Sequence, residues 1–158
     1  MRNFLVLSLF FALPVCGASY VTTSEIEAAL KQAPPGRAVY DKVLKTVDAG
    51  GYKVAIAVLR RIPQPGVEES ALSHERVTEV YEILTGAGTL ETGGQLTKTS
   101  PVDLTSEGAG PSTRGVLEGG ETRPMGPGDV AIIKPGEPHR FKKLEGTITY
   151  LVTRIELK

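Results

Sequence analysis

Apolar residues follow a helical spacing in one short segment near the N-terminus and a strand-like pattern along most of the chain after it. In TTSEIEAALKQAPPG, Thr22 or Thr23 can cap the start of a helix, and acidic residues occupy its first turn. The Pro-Pro-Gly sequence at 34–36 ends it. The pattern therefore predicts one short helix.

Beyond residue 36 the chain consists of short apolar runs separated by turns rich in glycine and proline. The stretch RAVYDKVLKTVDAGGYKVAIAVLRRI predicts two strands joined by a hairpin at 48–51. The second strand, 52–62, is apolar on both faces and should lie between two layers. Further strands are predicted at 79–84, 88–92, 130–133, 140–142 and 147–156. Many short strands and almost no helix predict an all-β sandwich or barrel.

Residues 97–115, TKTSPVDLTSEGAGPSTRG, are polar and almost without large apolar side chains. Such a segment is either a disordered insertion or a flap over the mouth of a barrel. The glycine pairs in GTLETGG and RGVLEGGETR lack the context of a nucleotide-binding loop. We interpret both as hairpin turns.

The first 18 residues have the layout of a secretory signal peptide: Arg2, an apolar run from Phe4 to Val15, and small residues up to Ala18. The run is shorter than the roughly 20 apolar residues that span a bilayer, so no stable membrane span is expected. Cys16 could indicate lipidation, but Val15 occupies a position where lipoprotein signals need a small residue. We expect cleavage after Ala18 and a secreted or periplasmic protein.

The composition excludes some partners and restricts the sources of stability. The 18 Lys and Arg balance 18 Asp and Glu, and the chain has no long basic run, which argues against nucleic acid as a partner. Cleavage would remove the only cysteine, so the mature protein could form no intramolecular disulfide. Its stability must come from a hydrophobic core or from bound metal.

The two histidines of the chain stand at predicted strand boundaries. His74 and Glu79 are five residues apart and would point to opposite faces of one straight strand. If the chain turns within 75–78, His74 ends one strand, Glu79 begins the next, and both face the interior. His139 follows a Pro-Gly turn that would hold it at the mouth of a barrel. Two imidazoles and a carboxylate meeting there suit Fe, Mn, Ni or Zn.

These segments resemble the two short motifs of the cupin superfamily, a group of small jelly-roll β-barrels. In HERVTEVYEILTG, four residues separate His74 from Glu79, and six more lead to Gly86, as in the first cupin motif. In GDVAIIKPGEPH, the spacing from Gly128 to His139 matches the second motif. The resemblance covers roughly residues 37–156. It implies a cupin jelly roll and assigns His74, Glu79 and His139 as ligands of a divalent metal ion.

The sequence departs from these motifs at two positions that matter. Leu72 stands where cupins have a further histidine ligand, and Lys134 replaces the usual proline of the second motif. Three ligands are enough for a catalytic metal site, but a site that has lost its metal would look the same. Glu68 or Glu69 could supply a replacement ligand, or the pair could belong to a solvated turn.

Other side chains are weaker candidates. Tyr81 has the same strand parity as Glu79, so it could be a hydrogen-bond donor or proton shuttle in the site, or a core tyrosine. Phe141 shares parity with His139 and should pack in the interior. Four arginines could hold an anionic substrate or simply be solvated: Arg76, Arg114, Arg123 and Arg140.

The predicted organisation is a signal peptide at 1–18, a short helix and linker at 19–36, and a cupin β-barrel at 37–158. The resemblance implies a metal-dependent dioxygenase, isomerase, epimerase or lyase acting on a small organic acid or sugar, and does not choose among them. Two alternatives stay open: a non-enzymatic module that binds such a small molecule, and a structural domain without a retained site. Cupins commonly pair, so we also expect a homodimer, with RAVYDKVLKTV as a plausible pairing strand.

Overall fold

The computed structural model describes residues 17–158, so residues 1–16 of the predicted signal peptide 1–18 lie outside the described residues. The described chain contains one α-helix, α1 (Thr23–Lys31), and one 3-10 helix (Thr105–Glu107). Its strands are β1 (Val39–Asp48), β2 (Tyr52–Arg61), β3 (Ala71–His74), β4 (Val77–Thr85), β5 (Gly88–Thr92), β6 (Gln95–Leu104), β7 (Gly110–Glu118), β8 (Glu121–Met125), β9 (Val130–Ile133), β10 (His139–Leu144) and β11 (Ile148–Leu157). None of the helices within 17–158 is long and apolar enough to cross a membrane.

The strands form two sheets, and each strand pair is antiparallel. One sheet has the order β1-β2-β11-β4-β9 and the other the order β6-β7-β3-β10-β5-β8. Strands adjacent in sequence are often distant in the sheets, as in a jelly roll. The all-β prediction with one short N-terminal helix is confirmed.

The core lies between the inner faces of the two sheets. Burial alternates along β4 and along β11, because successive side chains of a strand point to opposite faces. One cluster joins the sheets: Ala57, Leu59, Tyr81, Ile83, Leu90, Met125, Ile133, Phe141, Ile148, Tyr150 and Val152. This cluster fills one part of the space between the sheets, and buried polar side chains occupy another part.

Helix α1 covers part of the outer surface of the first sheet. Thr22 caps it, and a capping box with Glu25 satisfies backbone donors of its first turn. The helix packs against β1 and β2. Strand β2 lies between β1 and β11, and its neighbours Val58 and Leu59, which point to opposite faces, are both buried. The expectation that this strand is buried on both sides is confirmed.

The polar segment 97–115 is an ordered part of the barrel. It spans most of β6, the 3-10 helix and the first half of β7, and β7 pairs with β3. Along β7, buried and exposed residues alternate, and the buried ones include Gly110 and Ser112. Small residues on the inner face explain why the segment lacks large apolar side chains. It is therefore neither a disordered insertion nor a separate flap.

The two glycine pairs do not form hairpin turns, and that interpretation was wrong. Gly93 and Gly94 connect β5 to β6, and Gly119 and Gly120 connect β7 to β8, yet neither pair of strands is hydrogen-bonded. The two connections pack closely, because a Cβ atom on Gly94 would lie 2.3 Å from the carbonyl oxygen of Glu118. The lack of side chains at these glycines allows the β5–β6 and β7–β8 connections to lie in contact with each other.

Candidate metal centre

The two histidines and Glu79 meet between the two sheets. His74 is the last residue of β3 and His139 the first of β10, neighbouring strands of the six-stranded sheet. Glu79 points inward from β4 of the opposite sheet. Its Oε2 lies 3.3 Å from Nε2 of His74 and 3.2 Å from Nε2 of His139. All three side chains are buried, with exposed fractions of 4%, 1% and 4% for His74, Glu79 and His139.

Two turns bring these side chains together. The chain reverses at Glu75 and Arg76, a shorter turn than expected, so Glu79 is the third residue of β4 and not its first. The second turn carries Gly136, which has a φ of +76°, and its amide donates to the carbonyl oxygen of His74 at 2.7 Å. The two motifs are thus joined by a backbone hydrogen bond.

Hydrogen bonds fix the orientation of both imidazole rings. Nδ1 of His139 donates to the carbonyl oxygen of Glu137 at 3.0 Å. Nδ1 of His74 lies 2.7 Å from Oγ of Ser112, and that hydroxyl donates to the carbonyl oxygen of Gly110 at 3.0 Å. The hydroxyl therefore accepts from His74. In the neutral rings, both Nε2 lone pairs point toward Glu79.

Glu79 is held by hydrogen bonds on both of its oxygens. Arg154 donates from Nε to Oε1 at 2.8 Å, and Tyr81 donates from its hydroxyl to Oε2 at 3.0 Å. Burial acts to raise the pKa of Glu79, but the hydrogen bonds that Nε2 of His139 and Nε2 of His74 donate when they carry protons outweigh it and hold this pKa well below the ordinary value of 4.5. Burial and the nearby Glu79 raise the pKa of Tyr81 well above 10. Glu79 is thus ionised and Tyr81 protonated at neutral pH.

Arg154 connects Glu79 to a second buried carboxylate. Its Nη1 and Nη2 lie 3.2 and 2.6 Å from the two oxygens of Asp41, and Nη1 also donates to the carbonyl oxygen of Glu107. Burial opposes the charge of Arg154, but Asp41 and Glu79 outweigh it and raise its pKa. Every nitrogen of this guanidinium has a partner, so its position is fixed.

The donor set fits a divalent metal ion. The three ligand atoms lie within 4.8 Å of one another. Ligands about 2.0–2.2 Å from a metal are separated from their neighbours by roughly 3.0–3.6 Å, and both measured distances to Glu79 fall in that range. Two nitrogen lone pairs and a carboxylate oxygen this close repel one another unless protons or a cation lie between them. Imidazole and carboxylate ligands are those preferred by Fe, Mn, Ni and Zn.

A cavity of about 470 Å³ opens onto this cluster. Leu72 lines it, so an apolar side chain occupies the position where the cupin motif has a histidine. Tyr81 also lines the cavity and in addition packs against Phe141, with ring centroids 6.3 Å apart. Tyr81 therefore faces the site as a hydrogen-bond donor and also belongs to the core. Phe141 is buried, as expected.

The four candidate arginines occupy different places. Arg114 lines the cavity, whereas Arg123 is exposed on β8. Arg76 forms an exposed ion pair with Glu156. Arg140 is buried and pairs with Glu91.

Glu68 and Glu69 line the cavity but lie outside the ligand cluster. Glu68 pairs with Arg140 at 2.8 Å, and Glu69 pairs with Arg61 at 2.5 Å. Each carboxylate thus forms an ion pair with an arginine, Arg140 of β10 or Arg61 of β2. Neither residue of this pair replaces the missing ligand.

Several residues that contact or line the site were missed in the sequence, among them Asp41, Arg61, Ser112 and Arg154. Arg154 is 75 residues from Glu79, and no motif joins them. One pattern could have found it, since it shares strand parity with the apolar Tyr150 and Val152 of β11 and therefore had to point inward. Ser112 lay in the segment interpreted as an insertion.

Comparison with known proteins gives the fold. No protein-family model matches the chain, and no curated protein matches it. A protein of unknown function from Rhizobium leguminosarum is 16% identical, with a TM-score of 0.52, covering 87% of this chain and 96% of that one. A double-stranded β-helix protein from Klebsiella pneumoniae is 14% identical, with a TM-score of 0.51 and coverages of 89% and 97%.

A recombinant oxalate oxidase in complex with glycolate is 15% identical, with a TM-score of 0.50, and the match covers 89% of this chain but 61% of that one. At these identities the likeness concerns the fold. Together with the two antiparallel sheets and the spacing of both motifs, it assigns the chain to the cupin fold, as the resemblance implied.

Proposed function

We propose that this protein is an exported cupin that holds one divalent metal ion and acts on a small oxygenated organic molecule in the cavity above it. Nε2 of His74, Nε2 of His139 and Oε2 of Glu79 would hold the ion. The observation that carries the proposal is the meeting of three buried lone-pair donors, with both rings oriented through their other nitrogens. Export rests on the predicted signal peptide alone.

A metal bound by three protein groups keeps coordination positions for substrate or O2 and supplies Lewis-acid or redox chemistry. The protein's own residues prepare the site for it. Arg154 occupies Oε1 of Glu79 and leaves Oε2 to face the histidines. Tyr81 keeps its proton and presents a hydroxyl beside that oxygen. Leu72 and Leu59 line the cavity and keep part of its wall dry.

Metal content of tag-free protein tests the proposal. We expect about one Fe, Mn, Ni or Zn ion per chain after anaerobic reconstitution with each metal in turn. Glu79→Gln and His139→Ala should lose the ion. Glu82→Gln is the matched control, because Glu82 is the exposed acidic residue on the same strand and should retain wild-type content. Absence of uptake for all four metals would refute the proposal.

Leu72 supports a second candidate, a module that binds a small molecule without catalysis. An apolar side chain at a ligand position makes the cavity drier and removes one metal donor. Binding of a ligand that is unchanged after treatment with a chelator would favour this candidate. Binding lost with the metal and recovered on its return would favour the enzyme.

A further inference from the structure

The cavity contains a second polar feature, centred on Arg61 at the end of β2. The Arg61 side chain is 14% exposed. Its Nε donates to the hydroxyl of Tyr150 at 2.8 Å and its Nη1 donates to Glu69 at 2.5 Å. The guanidinium carbon also lies 5.9 Å from the ring centroid of Phe141. The group is therefore held rigidly by contacts on three sides.

The remaining nitrogen of Arg61 is available to a ligand. Within residues 17–158, Nη2 has no hydrogen-bond partner, and it is not among the fully buried atoms that lack one. Arg61 lines the same cavity as the metal-binding cluster. A rigid guanidinium with one free N–H arm in a half-apolar cavity is suited to a carboxylate oxygen.

Two further arginines add positive charge around this cavity. Arg37, just before β1, and Arg114, on β7, both line it and are exposed, and neither forms an ion pair within the described chain. Most carboxylates of the lining are already paired: Asp41 and Glu79 with Arg154, Glu68 with Arg140, and Glu69 with Arg61. Glu107 is the exception, and it accepts from Ser106. Among the described residues, the charged groups of the lining that have no partner of opposite charge are thus Arg37, Arg114 and Glu107.

We infer that the ligand is an organic acid whose carboxylate binds Nη2 of Arg61, while an oxygenated group at its other end reaches His74, His139 and Glu79. The second contact rests on the proposed function, whereas the first does not. The cavity volume of about 470 Å³ is within the range of small-molecule sites. A hydroxyl of a neutral sugar could accept from Nη2 of Arg61, but it brings no negative charge to pair with the guanidinium, so the site favours acids over sugars.

Calorimetry with matched probes tests this inference. Gluconate and glucose have similar size and hydroxyl content and differ in the carboxylate, and succinate and succinamide form a second such pair. In each pair the acid should bind at least tenfold more tightly than the neutral compound. Arg61→Gln should weaken acid binding at least tenfold, and Arg114→Gln, an exposed change that preserves the fold, severalfold. Arg123→Gln, exposed outside the cavity, is the control and should bind as wild type.

The titrations are run with metal-loaded protein and again after chelation. Acid binding that persists without metal but depends on Arg61 supports the inference even if the metal site fails. The inference is overturned if metal binds but no acid does, if acid and neutral probes bind equally, or if Arg61→Gln binds acids as wild type does. Tight binding of glucose 6-phosphate alone also overturns it, because the anion would then be a phosphate.

Discussion

Replacement of Arg154 by methionine should strongly destabilise the fold. Methionine preserves much of the apolar stem but removes the charge that faces two carboxylates. Asp41 would lose its cationic partner, and Glu79 would keep only the two histidines and Tyr81. Asp41 is 16% exposed and Glu79 is 1% exposed, so water can replace the lost contacts only in part.

The size of the effect follows from burial. Removing one partner of a buried ion pair costs about 3–5 kcal/mol, which corresponds to a fall in Tm of about 10–15 °C for a domain of this size. Arg76→Met is the matched control, since the pair of Arg76 with Glu156 is on the surface, with Arg76 59% exposed. Its removal should cost less than about 1 kcal/mol.

Urea unfolding, monitored by tyrosine fluorescence and circular dichroism, measures the free energy of unfolding of both variants and of the wild type. Replacing Asp41 by asparagine in the Arg154→Met background should recover part of the loss, because it removes one unpaired charge. An Arg154→Met variant that loses no more stability than Arg76→Met would contradict the buried ion pairs. So would effects of Arg154→Met and Asp41→Asn on the free energy of unfolding that simply add.

Other predictions concern the ligands and the backbone. Ser112→Ala removes the acceptor of His74 and should weaken metal binding about 10–100-fold in competition with a chromophoric chelator; an unchanged affinity would show that the ring needs no such support. Leu72→His should tighten metal binding at least tenfold relative to Leu72→Gln, and equal affinities of the two variants would contradict the placement of Leu72 at a vacant ligand position. Gly86→Ala should cost at least about 2 kcal/mol in urea unfolding, because Gly86 has a φ of +78° and a Cβ atom would lie 2.2 Å from the carbonyl oxygen of Thr147. Metal affinity should fall steadily as pH is lowered, because protons compete for the imidazole lone pairs, and a flat profile would contradict that competition.

Short-range patterns in the sequence identified much of the site. The spacing within each motif placed His74 and His139 at strand ends and turned Glu79 toward them, and the structure brings the three together, although Glu79 is the third residue of its strand. This succeeded because a turn and a strand fix the direction of a side chain over a few residues. The departure at Leu72 could also be read from the sequence, because the spacing of the first motif marks this position as one where a histidine is expected.

The supporting residues depend on contacts between distant strands. Arg154 reaches Glu79 because β11 pairs with β4, and Ser112 reaches His74 because β7 pairs with β3. Local periodicity does not specify which strands pair. The polar segment 97–115 was misread for a related reason, since small inner-face residues give little apolar alternation although they line a packed interior. The signal peptide and the homodimer stay predictions.

The proposed function depends most on one metal ion bound by His74, Glu79 and His139. Anomalous diffraction at the absorption edge of the reconstituted metal would locate it in crystals of the wild-type protein. We predict a single peak about 2.0–2.2 Å from Nε2 of His74, Nε2 of His139 and Oε2 of Glu79. A fully metal-treated crystal with no peak there, or with its peak elsewhere, would contradict the central claim.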